Sequence, residues 1–224
     1  MDCFIENEPS FSTLRMNLKK NETCRAEPLA IMAMSGGIEQ HTKSAGKGLF
    51  NTIKAAVGGE MISTVELNAT NSTEEIILAP PLEGEIIEFN IKDTFLFVQY
   101  GTFLASDSEI QLQSEGSLRA MMSGTGLFLQ RVEGRGKLFL TAYGSIIKKE
   151  LSENEEYSVH NGHLLAFESS LQYTTENTSN AFFNNVKTEE DILCRFTGPG
   201  TLYMQTRNIF AFAGVLQRLV GKQH

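Results

Sequence analysis

The sequence predicts an all-β protein built from repeated units, with one or two short peripheral helices. Three observations carry that expectation. From about residue 75 onward, short apolar runs, several alternating with polar residues, follow one another between Gly, Pro and Asx punctuation. Arg131-x-x-Gly134-x-Gly136-x-Leu138-Phe139 returns as Arg195-x-x-Gly198-x-Gly200-x-Leu202-Tyr203, a step of 64 residues from Gly134 to Gly198. Gly101-Thr102-Phe103-Leu104-Ala105 returns as Gly162-His163-Leu164-Leu165-Ala166, a step of 61. Two motifs recurring in one order at nearly one period mark a duplicated structural unit. The expected architecture is duplicated β-sandwich or barrel units of jelly-roll-like kind.

Taken in chain order, Leu29 to Met34 reads as a strand closed by the turn Ser35-Gly36-Gly37. Residues 36–48, rich in Gly, Ser, Lys and Thr, read as an exposed loop. Leu49, Phe50, Ile53 and Val57 have helical spacing and end at Gly58-Gly59, which predicts a short helix. Glu75 to Leu78 is a strand that stops at Pro80-Pro81, because proline has no N–H for the ladder. Glu85 to Ile91 places Ile87, Phe89 and Ile91 on one face; Thr94 to Tyr100 is apolar on both. Runs at 127–129, 138–140, 164–167, 171–174, 192–196 and 202–206 continue the series. Ile76-Ile77-Leu78-Ala79 matches Leu138-Phe139-Leu140-Thr141 without the Gly-x-Gly, as a third copy would. The units expected are 1–83, 84–145 and 146–208, sharing one continuous core in a single compact β domain. Phe212, Val215, Leu216, Leu219 and Val220 add a helix over 209–221 that packs on the barrel or on a neighbouring subunit.

Composition narrows the function classes. Hydrophobic residues make up 41% and charged residues 21% of the 224, the balance of a soluble globular protein. The net charge is −8 and no dense Lys/Arg run occurs, so nucleic acid is not an expected partner. Cys3, Cys24 and Cys194 are scattered and form no CxxC pair, which supports neither a zinc ribbon nor a redox motif. The opening Met1-Asp2-Cys3-Phe4-Ile5-Glu6 does not resemble a secretory leader, and the expected location is cytoplasmic. The longest apolar stretch, Ile209 to Val220, is broken by Gln217 and Arg218; it falls short of the roughly 20 residues that span a bilayer, so membrane association is not expected.

The chemistry-bearing residues are few. Gly134/Gly136 and Gly198/Gly200 have the backbone freedom to cradle a phosphate, but each pair precedes a strand, not a helix, so tight turns explain them. Arg131 and Arg195 precede the two pairs at the same distance; they either hold an anion bidentately or fix the following turn. His160-Asn161-Gly162-His163 with Glu168 is the best metal candidate, with a cupin-like set of two imidazoles and a carboxylate. Against it, Asn161-Gly162 is a strong hairpin-turn signal that sets the two histidines on opposite arms. Ser44-Ala45-Gly46-Lys47-Gly48 fails as a phosphate loop, since His41 stands where the first glycine belongs and Gly48 where Ser or Thr binds magnesium. No Ser-His-Asp, Cys-His or paired-carboxylate arrangement stands out, so no catalytic residue and no cofactor are expected.

The segments Gly101 to Ala105, Gly134-Arg135-Gly136, Gly162 to Phe167 and Gly198 to Thr206 keep an order and spacing that resemble the mitochondrial biogenesis (altered-inheritance-of-mitochondria) family. Glu27 to Met34, Gly59-Glu60 and Ala79-Pro80-Pro81 are similar to further landmarks of that family. The resemblance implies a β-rich fold like that of the tryptophan-RNA-binding attenuation protein, built by internal duplication, without that protein's RNA binding. It implies no enzyme activity and transfers no catalytic residue. The function expected is a non-enzymatic binding or scaffold protein that forms a homo-oligomer and meets an unidentified protein partner. The alternative is a cupin-like small-molecule or metal-binding protein with its site at His160/His163.

Overall fold

The computed structural model describes residues 1–43, 64–115, 127–177 and 192–220. The chain divides into two compact units. The first comprises Met1–Phe95, Gly101–Gln113 and Val132–Thr141; the second comprises Leu96–Tyr100, Ser114–Arg131 and Ala142–His224.

In chain order the first unit contains β1 (Asp2–Glu6), β2 (Thr13–Lys19), β3 (Thr23–Ala26), a 3-10 turn (Pro28–Ala30), β4 (Ile31–Met34), β5 (Ile38–Lys43), β6 (Thr64–Ala69) and β7 (Thr73–Leu78). It adds the first part of β8 (Ile86–Gln99), then β9 (Phe103–Asp107), the start of β10 (Gln111–Glu115) and the later part of β11 (Leu129–Thr141). One sheet runs β1-β2-β7-β4 and another contains β11-β9-β3-β6-β5. Their strands alternate as half-buried strands must: Leu14, Met16 and Leu18 of β2 point inward, and so do Val65, Leu67 and Ala69 of β6. With Cys24, Ala26, Ile76, Leu78, Leu104, Ala105 and Phe139 they form one apolar core drawn from both sheets. Each large side chain withdrawn from water contributes about 1.5–3 kcal/mol. On the outer face Arg15 joins Glu6 at 3.0 Å and also Glu75. Such half-exposed pairs contribute about 0–1 kcal/mol, so the buried face decides the stability of this unit.

The second unit contains β12 (Ile146–Leu151), β13 (Glu156–His160), a 3-10 turn (Asn161–His163), β14 (Leu164–Glu168), β15 (Gln172–Asn177), β16 (Ile192–Thr197), β17 (Gly200–Gln205) and helix α1 (Ile209–Val220). The end of β8 joins β12, β17 and β14 in the order β12-β17-β14-β8, and β13-β16-β15 forms a second sheet. Phe167 lies at the centre of its core. Its ring stacks on Phe97 at 4.9 Å and meets Phe196 and Tyr173 edge-on at 4.9 and 5.1 Å. Leu164, Leu171, Ile192, Cys194 and Leu202 close around these rings. At the start of α1 the Asn208 side chain accepts the Ala211 N–H at 3.3 Å, a capping contact.

One strand pairing recurs three times with the same irregularity. β4 pairs with β7 as Ile31↔Leu78, Ala33↔Ile77 and Met34↔Ile76, passing over Met32. β9 pairs with β11 as Phe103↔Leu140, Ala105↔Phe139 and Ser106↔Leu138, passing over Leu104. β14 pairs with β17 as Leu164↔Met204, Ala166↔Tyr203 and Phe167↔Leu202, passing over Leu165. Each is a bulge, which bends a strand at a set point. The turn before β3 and β13 also recurs. Asn21 (φ 68°) and Asn154 (φ 62°) take the left-handed conformation that Asx residues tolerate. Beside them, Glu22 accepts the Lys19 N–H and Glu155 the Ser152 N–H, each at 2.9 Å.

The second oxygen of each carboxylate meets a cation: the chain's N-terminal amine at 2.9 Å for Glu22, and Lys149 at 2.7 Å for Glu155. For Glu155 the Lys149 and then the Ser152 hydrogen bonds hold the carboxyl below its ordinary range. A depressed folded-state pKa contributes stability that is fully present above the unfolded value and is lost as the pH falls through the folded one. Glu155→Gln should therefore lower the urea midpoint near neutral pH, and the gap to the parent protein should close on acidification below the carboxylate range. A gap unchanged by acid would show that packing, not charge, sets the effect.

The all-β expectation is met, and the C-terminal helix is in place. Among the described residues α1 is the one α-helix, and no sheet closes into a barrel. The helix expected near 49–57 lies outside the described residues. The loop expected at 36–48 contains β5, whose pairing with β6 runs from Ile38↔Ala69 to Lys43↔Thr64; cross-strand partners override its polar composition. Two pairs of expected strands are fused. β8 continues through Asp93 (φ 55°) and β11 through Gly134 and Gly136 (φ 124° and 131°), bending without ending.

Candidate functional site

The structure places the predicted site residues on strands and at the links between them. Gly134 and Gly136 lie inside β11 and not at a chain reversal, whereas Gly198 and Gly200 flank the link from β16 to β17. A side chain on Gly136 would collide with the Asp107 carboxylate. That carboxylate accepts the Lys137 N–H at 2.6 Å. The same support recurs where Glu168 accepts the Thr201 N–H at 2.8 Å and Ser35 Oγ accepts the Glu75 N–H at 2.8 Å. Glu168 is thus one of three side chains that hold the strand opposite a bulge. Arg195 reaches Glu176 at 3.3 Å across exposed sheet, a pair of small energetic weight. Arg131 is half-buried on β11.

His160 and His163 do not converge on a common ligand point with Glu168. The His160 ring accepts the Gly162 N–H at 3.2 Å through Nδ1. His163 Nδ1 faces the Gln205 carbonyl at 2.9 Å, where its N–H donates. Gln205, itself buried, accepts the Tyr143 N–H at 2.9 Å and donates to the Gly162 carbonyl at 3.1 Å. Asn161-Gly162 is a 3-10 turn between β13 and β14, which pair with β16 and β17 respectively, so the expected hairpin is absent. No group of three or more His, Cys, Asp or Glu side chains among the described residues is placed to hold a metal ion. The metal-binding alternative at His160/His163 therefore has no support.

Nor do the thiols offer a nucleophile. Burial pushes Cys3, Cys24 and Cys194 each up to about 12, and all three are free. A thiol so placed stays protonated near neutral pH and acts as a small apolar side chain. The described residues carry no catalytic arrangement.

What stands out is a strand edge. β9 lies between β11 and β3, and β14 between β17 and β8, so both are covered on two sides. Their equivalent β4 ends its sheet, paired among the described residues with β7 alone. The side chain at the bulge reports the difference: Leu104 is 1% and Leu165 0% exposed, while Met32 is 66% exposed. Ala33 and Met34 are exposed where Ala105, Ser106, Ala166 and Phe167 are buried, and Leu29 projects beside them. Sequence reasoning missed this surface because Ile31-Met32-Ala33-Met34 is as apolar as its buried counterparts. The one available signal was an apolar run with no polar alternation.

The model of the family described as Mitochondrial biogenesis AIM24 matches residues 4–207. The chain belongs to this family. An uncharacterized protein of Streptococcus pyogenes serotype M6 is 27% identical over 222 residues, spanning 96% of this chain and 89% of that protein. A crystal structure of a Streptococcus pyogenes protein superposes with a TM-score of 0.80 at 25% identity, covering 98% of this chain and 99% of the other. The AIM24 match takes in every strand described above except the first residues of β1. It therefore includes the recurrent bulge in all three places, as well as the bare edge.

Proposed function

We propose that this AIM24 family protein is a non-enzymatic scaffold or binding protein that works as a homo-oligomer in the cytoplasm and meets a further protein partner. In this reading the chain is three copies of one β unit, about 1–83, 84–145 and 146–208. They are arranged in the manner of the tryptophan-RNA-binding attenuation protein, each copy handing a strand edge to the next. The observation that carries it is β4, an apolar strand bare on one edge where both equivalents are covered. An exposed apolar edge templates pairing with another chain unless it is covered. Covering Leu29, Met32 and Met34 would gain on the order of 1.5–3 kcal/mol for each side chain fully buried, and a second copy supplies such a cover. The net charge of −8 supports a protein rather than a nucleic-acid partner. Three free thiols agree with a reducing compartment. No helix among the described residues is long and apolar enough to cross a membrane.

Light scattering and native mass spectrometry of the parent protein and of a Met32→Lys/Met34→Lys variant test this reading. The parent should be a defined oligomer. The variant should fall to the monomer and keep the parent's circular dichroism spectrum, because both positions are exposed within a single chain. A parent protein that stays monomeric across a wide concentration range overturns self-association.

A further inference from the structure

Each covered equivalent of β4 receives one particular neighbour. β9 is flanked by β3, with Ala105↔Ala26, Ser106↔Arg25 and Asp107↔Cys24. β14 is flanked by the end of β8, with Ala166↔Val98, Phe167↔Phe97 and Glu168↔Leu96. β3 and this part of β8 hold the same place, since each follows a left-handed Asx residue, Asn21 or Asp93, at the same distance. The third strand of that kind is β13, which follows Asn154. β3 is sandwiched between β9 and β6, but β13 ends its sheet and pairs among the described residues with β16 alone. Its side chains record the missing neighbour as β4 does. Tyr157 is 38% exposed, whereas its counterparts Cys24 and Leu96 are 0% and 5% exposed.

Resting on the self-association reading, we propose that β4 of one chain pairs with β13 of a second copy, head to tail, in the register of the two ladders within the chain. That register sets Ala33 opposite Val159, Met34 opposite Ser158 and Ser35 opposite Tyr157. The first pair is small and apolar in all three ladders: Ala105 with Ala26, Ala166 with Val98, Ala33 with Val159. The two edges differ in sequence, so the interface is heterologous. Each chain keeps one free end of each kind, and assembly runs on to a ring or a filament. The bare edge thus calls for a second copy, because a β13-type strand is what covers its two equivalents.

Variants that each gain one cysteine test the register. Directly opposed residues on an antiparallel pair bring Cβ atoms to about 4.5–5.5 Å, near disulfide reach. Met34→Cys and Ser158→Cys are made as separate proteins, mixed and exposed to a mild oxidant; both positions are exposed, so both variants fold. The expected result is a disulfide-linked two-chain species in the mixture, absent from either variant alone. Ser35→Cys mixed with Tyr157→Cys, one step along the same register, should link as well. If light scattering shows an oligomer and neither mixture links, self-association stands and this ladder is overturned. If a chain carrying both cysteines links only to itself at monomer mass, β4 is closed by its own β13 and the proposal is overturned. A monomeric parent with unlinked mixtures overturns both readings.

Discussion

Phe167→Ala should cost about 3–5 kcal/mol of stability, the range for deleting a buried aromatic ring. Phe167 is wholly buried, and its ring touches Phe97, Tyr173 and Phe196, each contributed by a different strand of the second unit. Such aromatic pairs add about 0.5–1.5 kcal/mol beyond area burial, and three are lost together. The cavity would open between β8, β14, β15 and β16, strands each held in a ladder, so collapse around it is limited. Urea denaturation read by circular dichroism should show a lower midpoint with the slope retained. A loss under about 1 kcal/mol would mean that the unit relies on other contacts and that the ring cluster is peripheral.

Gly134→Ala should cost about 2–6 kcal/mol, from backbone strain of about 1–3 kcal/mol together with an overpacking term of similar size. Gly134 sits at φ 124°, where side-chain-bearing residues are rarely found, and an added Cβ would collide with the Glu109 carbonyl oxygen. The obstacle is backbone, so no side-chain rotation relieves it. Gly101 separates the two terms. Its φ of 84° also favours glycine, but nothing lies within reach of a Cβ there, so Gly101→Ala should cost only about 1 kcal/mol. Thermal melts of the two variants should therefore differ clearly. Equal losses would show that conformation alone, and not the approach of Glu109, requires glycine at 134.

Much of the fold was legible because it is written locally. Leu29 to Met34 runs apolar up to the turn Ser35-Gly36-Gly37, Pro80-Pro81 stops β7, and Phe212 to Val220 carry helical spacing. The fusion of expected strands into β8 and β11 was not legible. Asp93 and the pair Gly134/Gly136 look like turn residues, and in isolation they would be. The strand continues through them because ladder partners far away in sequence hold both sides. The metal reading of His160, His163 and Glu168 failed for a related reason. Spacing along the chain allowed ligation, but hydrogen bonds with Gly162, Gln205 and Thr201 turn each side chain to a separate backbone partner, and no group placed to hold a metal results among the described residues.

The sequence by itself determined the fold class, the glycine and Asx positions and the C-terminal helix, since each depends on residues within a few places of one another, and the repeated motifs are read from it directly. Only the tertiary structure decided which strands are covered. β4, β9 and β14 share register, bulge and apolar character, yet β4 alone lacks a second neighbour among the described residues. Lateral neighbours come from strands remote in the chain, and an apolar strand reads the same in sequence whether its edge is paired or bare.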